Sequence, residues 1–313
     1  MPVSPALASL LERDLVGAGL PVWAATLRDA ICARHGDAVA AVLFYGSCRR
    51  RGTPEGIADF VVLVHSYRAA HHSIVMRGVN ALLPPNVYYL EAVYEGDTVR
   101  CKYALLSLPA FVRRCASSFE GYFWARFAQP AQLVHGANPE VLPTLVSARA
   151  AALRRFAGAF APRCEGELGY ERFWADALRA SYRCELRPEP ARAADTLIAA
   201  DAAYYRTASA ELLPWLPGIT VAGTDSYRFR FSGSARALAT VRWSLRRLWG
   251  RSLNVLRLLK AAGTFTDGLD YVLWKLERHS GLRIEATPRM RRYPRLAAFR
   301  LAWLVWRKGA LRS

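Results

Sequence analysis

Four features of the N-terminal third have the residue types to handle phosphate together. An apolar, β-branched run, "AVAAVLFYG" (38–46), ends in Gly46 and continues into Ser47. A glycine at such a strand end lets a ligand approach the backbone without side-chain interference. The amides of the turn, with the serine hydroxyl, can wrap a phosphate. Arg49, Arg50 and Arg51 follow at once and offer charge-assisted, forked hydrogen bonds to a polyphosphate. Asp59 then opens a second apolar run, "ADFVVLV" (58–64), after eleven intervening residues, enough for a short helix or loop returning to a neighbouring strand. From that strand its carboxylate could hold Mg²⁺ against phosphate oxygens. Cradle, cations and metal ligand are the parts of phosphoryl or nucleotidyl transfer. Taken alone, the same residues also admit an ordinary turn and a strand-capping aspartate.

The elements that must position these groups are read from periodicity. Helical spacing of apolar residues covers 5–15 and 23–34, the second ending near Gly36. Residues 38–46 and 58–64 read as buried strands, and 86–107 as a hairpin turning at Glu95-Gly96-Asp97, its arms alternating with a period of two. Further helices are expected at 109–128, 144–160, 167–185, 191–212 and across 235–279, with 213–225 as a linker. The expected architecture is α+β. A nucleotide-handling domain with a mixed sheet (1–140) precedes a helical domain (141–215), for which a winged-helix-like arrangement is one option. A C-terminal region (216–313) completes the site and carries an amphipathic helix.

Composition narrows the partners. The chain of 313 residues carries 43 Lys+Arg against 25 Asp+Glu, a formal +18, which predicts attraction to something anionic. Nucleic acid, an acidic membrane surface and a phosphorylated substrate all satisfy that charge, and an arginine-favouring codon bias is the bland alternative. A 53% hydrophobic content excludes a mainly disordered chain. Six irregularly spaced cysteines with no C-x-x-C argue against a zinc site or a disulfide framework and for a reducing compartment. The start lacks a basic n-region and no run of eighteen uncharged apolar residues occurs, so neither a signal peptide nor a spanning helix is expected.

The stretch "FYGSCRRRGTPEGIADFVVLV" resembles the polymerase-beta-type nucleotidyltransferase signature. More narrowly, it is similar to the mitochondrial translocator-maintenance family of phosphatidate cytidylyltransferases, which make CDP-diacylglycerol, and the chain is read as a bacterial relative. "VYYLEAVYEGDTVRCKYALLS", "FEGYFWARFAQPAQLV", "ASYRCELRPEP" and "SLNVLRLLKAAGTFTDGLDYVLWKL" resemble further segments of that family in the same order, over roughly residues 40 to 276. The resemblance implies transfer of CMP from CTP to phosphatidate with release of pyrophosphate, and Mg²⁺ as cofactor. It implies that Gly46 and Ser47 bind the triphosphate; with the arginine run, Tyr45, Gly46, Ser47, Arg49 and Arg50 form the expected nucleotide-binding set. It makes Asp59 the metal ligand, and Lys102 and Lys260 catalytic cations. Arg126, Tyr182, Arg183 and Arg187 would meet the lipid phosphate.

Two departures stand out. The general superfamily pattern is Asp-x-Asp, but Val61 fills the second place here, as a hydrophobic residue tends to in the narrower family. Glu91 on the hairpin is then the candidate second metal ligand. The family's Trp-His-x-x-Asn stretch survives only as His71, with Ala70 and Ile74 at the other places.

In the C-terminal stretch "RMRRYPRLAAFRLAWLVWRKGALRS", Phe299, Trp303 and Trp306 share one helical strip, with Arg300 and Arg307 beside it. Such strips suit an anionic membrane interface; docking on the protein's own core is the alternative. The expectation is a cytoplasmic enzyme, peripheral on the inner face of the membrane, with no nucleic-acid partner. Transfer to another phosphorylated acceptor or from another nucleotide remains open, as does a non-catalytic nucleic-acid-binding relative.

Overall fold

A computed structural model describes residues 3–71, 73–185 and 192–264. Two helices, α1 (Pro5–Val16) and α2 (Val22–His35), lead into β1 (Val39–Tyr45), the short α3 (Gly46–Arg51) and β2 (Ala58–Val64). After α4 (Tyr67–Ala70) and α5 (Ile74–Leu82) comes the hairpin of β3 (Asn86–Tyr94) and β4 (Asp97–Ser107). Its turn sets Glu95 and Gly96 at φ 50° and 85°, the left-handed pair that suits the twist of a tight hairpin. Then follow α6 (Leu108–Ser117), α7 (Tyr122–Phe127), β5 (Ala131–Gly136) and the long α8 (Val141–Phe160). The last part comprises β6 (Gly166–Gly169), α9 (Tyr170–Tyr182), α10 (Ala193–Ala200), α11 (Ala202–Leu212), β7 (Ile219–Val221), β8 (Ser226–Phe229) and α12 (Gly233–Thr264).

The principal sheet has the order β3-β4-β2-β1-β5. Only the β2–β4 pair is parallel, so the sheet is mixed. Side chains alternate between its faces. Phe44, Phe60, Val62, Cys101 and Tyr103 point to the side covered by Trp23, Leu27 and Ile31 of α2. Leu43, Val61, Leu63, Ala104 and Leu106 point to the other side, where α1, α6, α7 and α8 close over them. That second cluster continues without a break into α9, α11 and Trp243 of α12, so the boundary expected near residue 140 falls inside one continuous apolar core. The fully buried Arg149 ties the junction, pairing with Asp14 at 2.7 Å and donating to the carbonyls of Phe127 and Gln129.

The expected strands and hairpin are present, and so are most of the helices. The predicted helix 109–128 is two, because Ser118–Gly121 interrupts it; the Ser118 hydroxyl and Trp124 indole bond to the backbone there. The predicted helix 191–212 likewise divides at Asp201. Strands β5, β6, β7 and β8 were not expected. A second sheet, β6-β8-β7, is built from three of them.

α12 lies across the second core through Trp243, whose indole donates to the Ala159 carbonyl at 2.8 Å, and Arg246, which donates to the Phe119 carbonyl. Farther along, Arg257 donates to both carboxylate oxygens of Glu120, at 2.9 and 2.8 Å. Gly250 sits where a Cβ would come within 2.5 Å of the Cys184 carbonyl oxygen, so the crossing tolerates no side chain at that point. All six cysteines are thiols, five of them buried. Among the described residues, no helix is long and apolar enough to cross a membrane.

Candidate functional site

The alternation that buries Leu43, Val61 and Ala104 also delivers Tyr45, Asp59 and Lys102 to the same sheet face, at the end the helices leave partly open. The three sit in register on adjacent strands, Tyr45 opposite Asp59 and Asp59 beside Lys102, with Tyr89 opposite Lys102 beyond. The Lys102 ammonium lies 3.2 Å from Asp59 Oδ1. The Asp59 side chain is 20% exposed and that of Lys102 43% exposed, so the pair faces water yet is backed by the core.

Gly46 has φ +85°, the left-handed region that favours glycine. A Cβ there would lie 2.8 Å from Asp59 Oδ2. The missing side chain therefore keeps space open beside the carboxylate. α3 begins at this point with no side chain capping its first turn. It is held down by the buried Cys48 thiol, which reaches the carbonyls of Glu55 and Ile57, and by Gly52, whose carbonyl accepts from the Trp23 indole.

Arg126 of α7 completes the group. Its guanidinium lies 6.0 Å from the Tyr45 ring centroid and 4.1 Å from that of Tyr122. It donates to the Tyr122 hydroxyl at 2.8 Å and to Glu185 at 2.9 Å. Burial opposes its charge, but Tyr122, Glu185, Tyr45 and Asp59 together outweigh that penalty and hold Arg126 firmly protonated. Burial pushes the Tyr45 phenol up to about 12 against the opposing pull of Arg126. The cluster thus brings together phenols, two cations and two carboxylates, Asp59 paired with Lys102 and Glu185 with Arg126.

Other expected members stand elsewhere. Arg49 pairs with Asp201 at 3.5 Å and Asp14 at 3.8 Å, Arg50 with Asp201 at 3.8 Å, and Arg51 donates to the Glu55 carbonyl. The arginine run lies between α3, the α10–α11 junction and its own loop, where Asp201 and Asp14 share the charge of Arg49 and Arg50. Glu91 is corrected. The hairpin register puts Tyr89, not Glu91, opposite Lys102. Glu91 sits two strands from β2, accepting from Tyr89 Oη at 2.6 Å and Arg100 Nε at 3.0 Å.

Lys260 donates to Asn80 Oδ1 and to the carbonyls of Leu83 and Pro85 at the far end of β3. Burial and Arg257 lower its ammonium to about 8. The structure uses it to hold α12 to the loop before β3 and does not bring it to Asp59. His71 accompanies it, its ring nitrogen 2.8 Å from the buried Asn80 amide nitrogen. Tyr182 is partly buried against the second core, and Arg183 is exposed, with its carbonyl accepting from Arg251. Arg187, Phe299, Arg300, Trp303, Trp306 and Arg307 lie outside the described residues.

Tyr122 and Glu185, which fix Arg126, were not singled out from sequence. The i, i+4 spacing of Tyr122 and Arg126 was the available signal, whereas Glu185 comes from 59 residues away.

As a metal site the donor set is sparse. No cluster of three or more His, Cys, Asp or Glu occurs among the described residues, and Val61, at the next same-face position, is buried in the core at 1% exposure. Asp59, with the Gly46 space beside it, fits a Mg²⁺ held by one protein carboxylate and otherwise by substrate phosphates and water, a common arrangement for this ion. It does not fit an all-protein metal cage. The chain matches no family model and no curated protein.

Proposed function

We propose that this protein is a Mg²⁺-dependent phosphatidate cytidylyltransferase, working at the inner face of the cytoplasmic membrane. The observation that carries the reading is the row Tyr45–Asp59–Lys102, with a left-handed Gly46 kept against the aspartate. An anion-binding turn, a carboxylate for metal and fixed cations on one open strand end are what transfer to a phosphate acceptor requires.

The acceptor monoester of phosphatidate is largely dianionic at neutral pH and needs no general base. Its oxygen forms a bond to the α-phosphorus of CTP, and the bond from that phosphorus to the pyrophosphate oxygen breaks. The obstacle is mutual repulsion of the two anions. Lys102 and Arg126 offset it from fixed positions, Lys102 beside Asp59 and Arg126 locked by Tyr122 and Glu185. The first-turn amides of α3 and the Ser47 hydroxyl serve the triphosphate, and the Tyr45 phenol remains a donor. Asp59 would hold Mg²⁺, which when bound neutralises charge on the polyphosphate.

The reading is tested by incubating the protein with CTP labelled at the α-phosphate, phosphatidate in mixed micelles and Mg²⁺. Label entering the lipid fraction as CDP-diacylglycerol supports it, and none rules it out. A second reading, a non-catalytic relative that binds nucleic acid, is favoured by the buried Val61 at the same-face position next to Asp59, where a second metal-binding carboxylate would stand. It predicts salt-sensitive RNA binding without turnover.

A further inference from the structure

α12 is apolar on two sides. One side is buried on the core through Ala239, Trp243 and, beyond them, Arg246. On the opposite side Leu238, Val241, Leu245, Leu248, Val255 and Leu256 recur at helical spacing, each between 46% and 68% exposed. At 1.5 Å per residue the strip runs for roughly 27 Å. Trp249, 54% exposed, forms its edge and lines a cavity of about 270 Å³ together with Leu82, Arg113 and Leu253. Six large apolar side chains left exposed along one helix side, with only Ser252 at that spacing between Leu248 and Leu256, point to an interaction face.

Its charge identifies the partner. Gly233–Thr264 contains no Asp or Glu, and it carries six arginines and Lys260. Exposed Arg242 borders the strip on one side, and exposed Arg247 and Arg251 lie along the other. We propose that this face of α12 lies flat on an anionic bilayer, the strip entering the interface and the flanking arginines meeting lipid phosphates. A second copy of the chain would set arginines against arginines with no carboxylate on either helix. The remaining residues 265–313 add 11 Lys+Arg against 4 Asp+Glu and do not complement the charge either. Nucleic acid would satisfy the arginines but leave the leucine strip in water.

The proposal concerns the lipid partner of the enzyme proposed above, yet vesicle binding needs no nucleotide, so either reading can fail without the other. The test places an environment-sensitive fluorophore on the full chain at Leu248→Cys, with Val93→Cys on the 71%-exposed edge of β3 as the reference position. Vesicles of phosphatidylcholine with phosphatidylglycerol should shift the 248 label to the blue and allow brominated lipid to quench it. The label at 93 should not respond, and pure phosphatidylcholine should have little effect. In the Arg242→Gln, Arg247→Gln background the lipid concentration at half-response should rise roughly 30-fold, from about fivefold per arginine. The proposal is overturned by a 248 label that stays in water on bound vesicles, by an equal response to neutral vesicles, or by an unchanged half-response in the arginine variant. It is overturned equally if Leu248→Glu dissociates a dimer and leaves vesicle binding intact.

Discussion

Gly46→Ala separates a backbone effect from a contact with the proposed metal carboxylate. Two glycines flank α3 in similar left-handed backbone, Gly46 at φ +85° and Gly52 at φ +71°. Forcing alanine into that region costs about 1–2 kcal/mol at either position. A Cβ at Gly52 meets nothing within 4 Å, whereas at Gly46 it comes within 2.8 Å of Asp59 Oδ2 and 3.3 Å of Asp59 Cβ. Gly52→Ala should therefore lower the melting temperature by a few degrees, at roughly 2–4 °C per kcal/mol, and leave CMP transfer near the parental rate. Gly46→Ala should lose about 1–2 kcal/mol more, because the carboxylate must rotate away or the strand end must shift, in the range of overpacking penalties. CMP transfer should fall at least tenfold with it.

The pair is read by thermal unfolding under circular dichroism and by incorporation of α-labelled CTP into lipid. Repeating Gly46→Ala in an Asp59→Ala background removes the crowded oxygen, so its extra stability cost should shrink towards that of Gly52→Ala. Equal costs for the two glycine substitutions, unchanged by Asp59→Ala, would refute the claim that Gly46 holds open the space beside the carboxylate.

Lys102→Met should lower transfer by about 10²–10³-fold, the scale seen for one preorganised charge-stabilising donor. Its half-exposed pair with Asp59 should contribute under about 1 kcal/mol to urea stability. Glu120→Gln strips the charge partner from Arg114 and Arg257, both within 2.9 Å of a carboxylate that is 4% exposed. Urea midpoints should show a loss of about 3–5 kcal/mol. The lowered ammonium of Lys260, about 8 against 10.5 when unfolded, means that the folded chain binds fewer protons than the unfolded one between those values. Stability relative to Lys260→Met should then rise as pH increases from about 8 to 10.5 and stay flat below, as urea titrations at each pH would read. A difference that falls across that window would contradict the burial of this ammonium.

Much of the row was legible because it follows from local pattern. The apolar runs ending at Tyr45 and opening at Asp59 give strands on their own, and alternation then sets the face of each side chain. The hairpin arms were legible too, but Lys102 was singled out only through the family resemblance. Long-range pairing was not legible. Arg49 reads as a phosphate ligand, and its pairing with Asp201, 152 residues on, carried no local signal. Lys260 reads as a substrate cation until the carbonyls of Leu83 and Pro85 take it up. Glu91 was placed only on the hairpin, and the strand register sets it opposite Arg100 with Tyr89 opposite Lys102. Strand β5 escaped notice because "AQLVHG" is short, follows Pro130 and mixes polar residues with apolar ones. Its strand character comes from pairing with β1.

The central claim is that Asp59 organises transfer from CTP to a lipid phosphate, and one comparison reaches it directly. Parent and Asp59→Asn are incubated with α-labelled CTP, phosphatidate and Mg²⁺, with circular dichroism confirming that both are folded. The account predicts labelled CDP-diacylglycerol from the parent and a loss of at least a hundredfold in Asp59→Asn, in keeping with the removal of a charged group acting on the transition state. No labelled lipid from the parent, or equal turnover by Asp59→Asn, would contradict it.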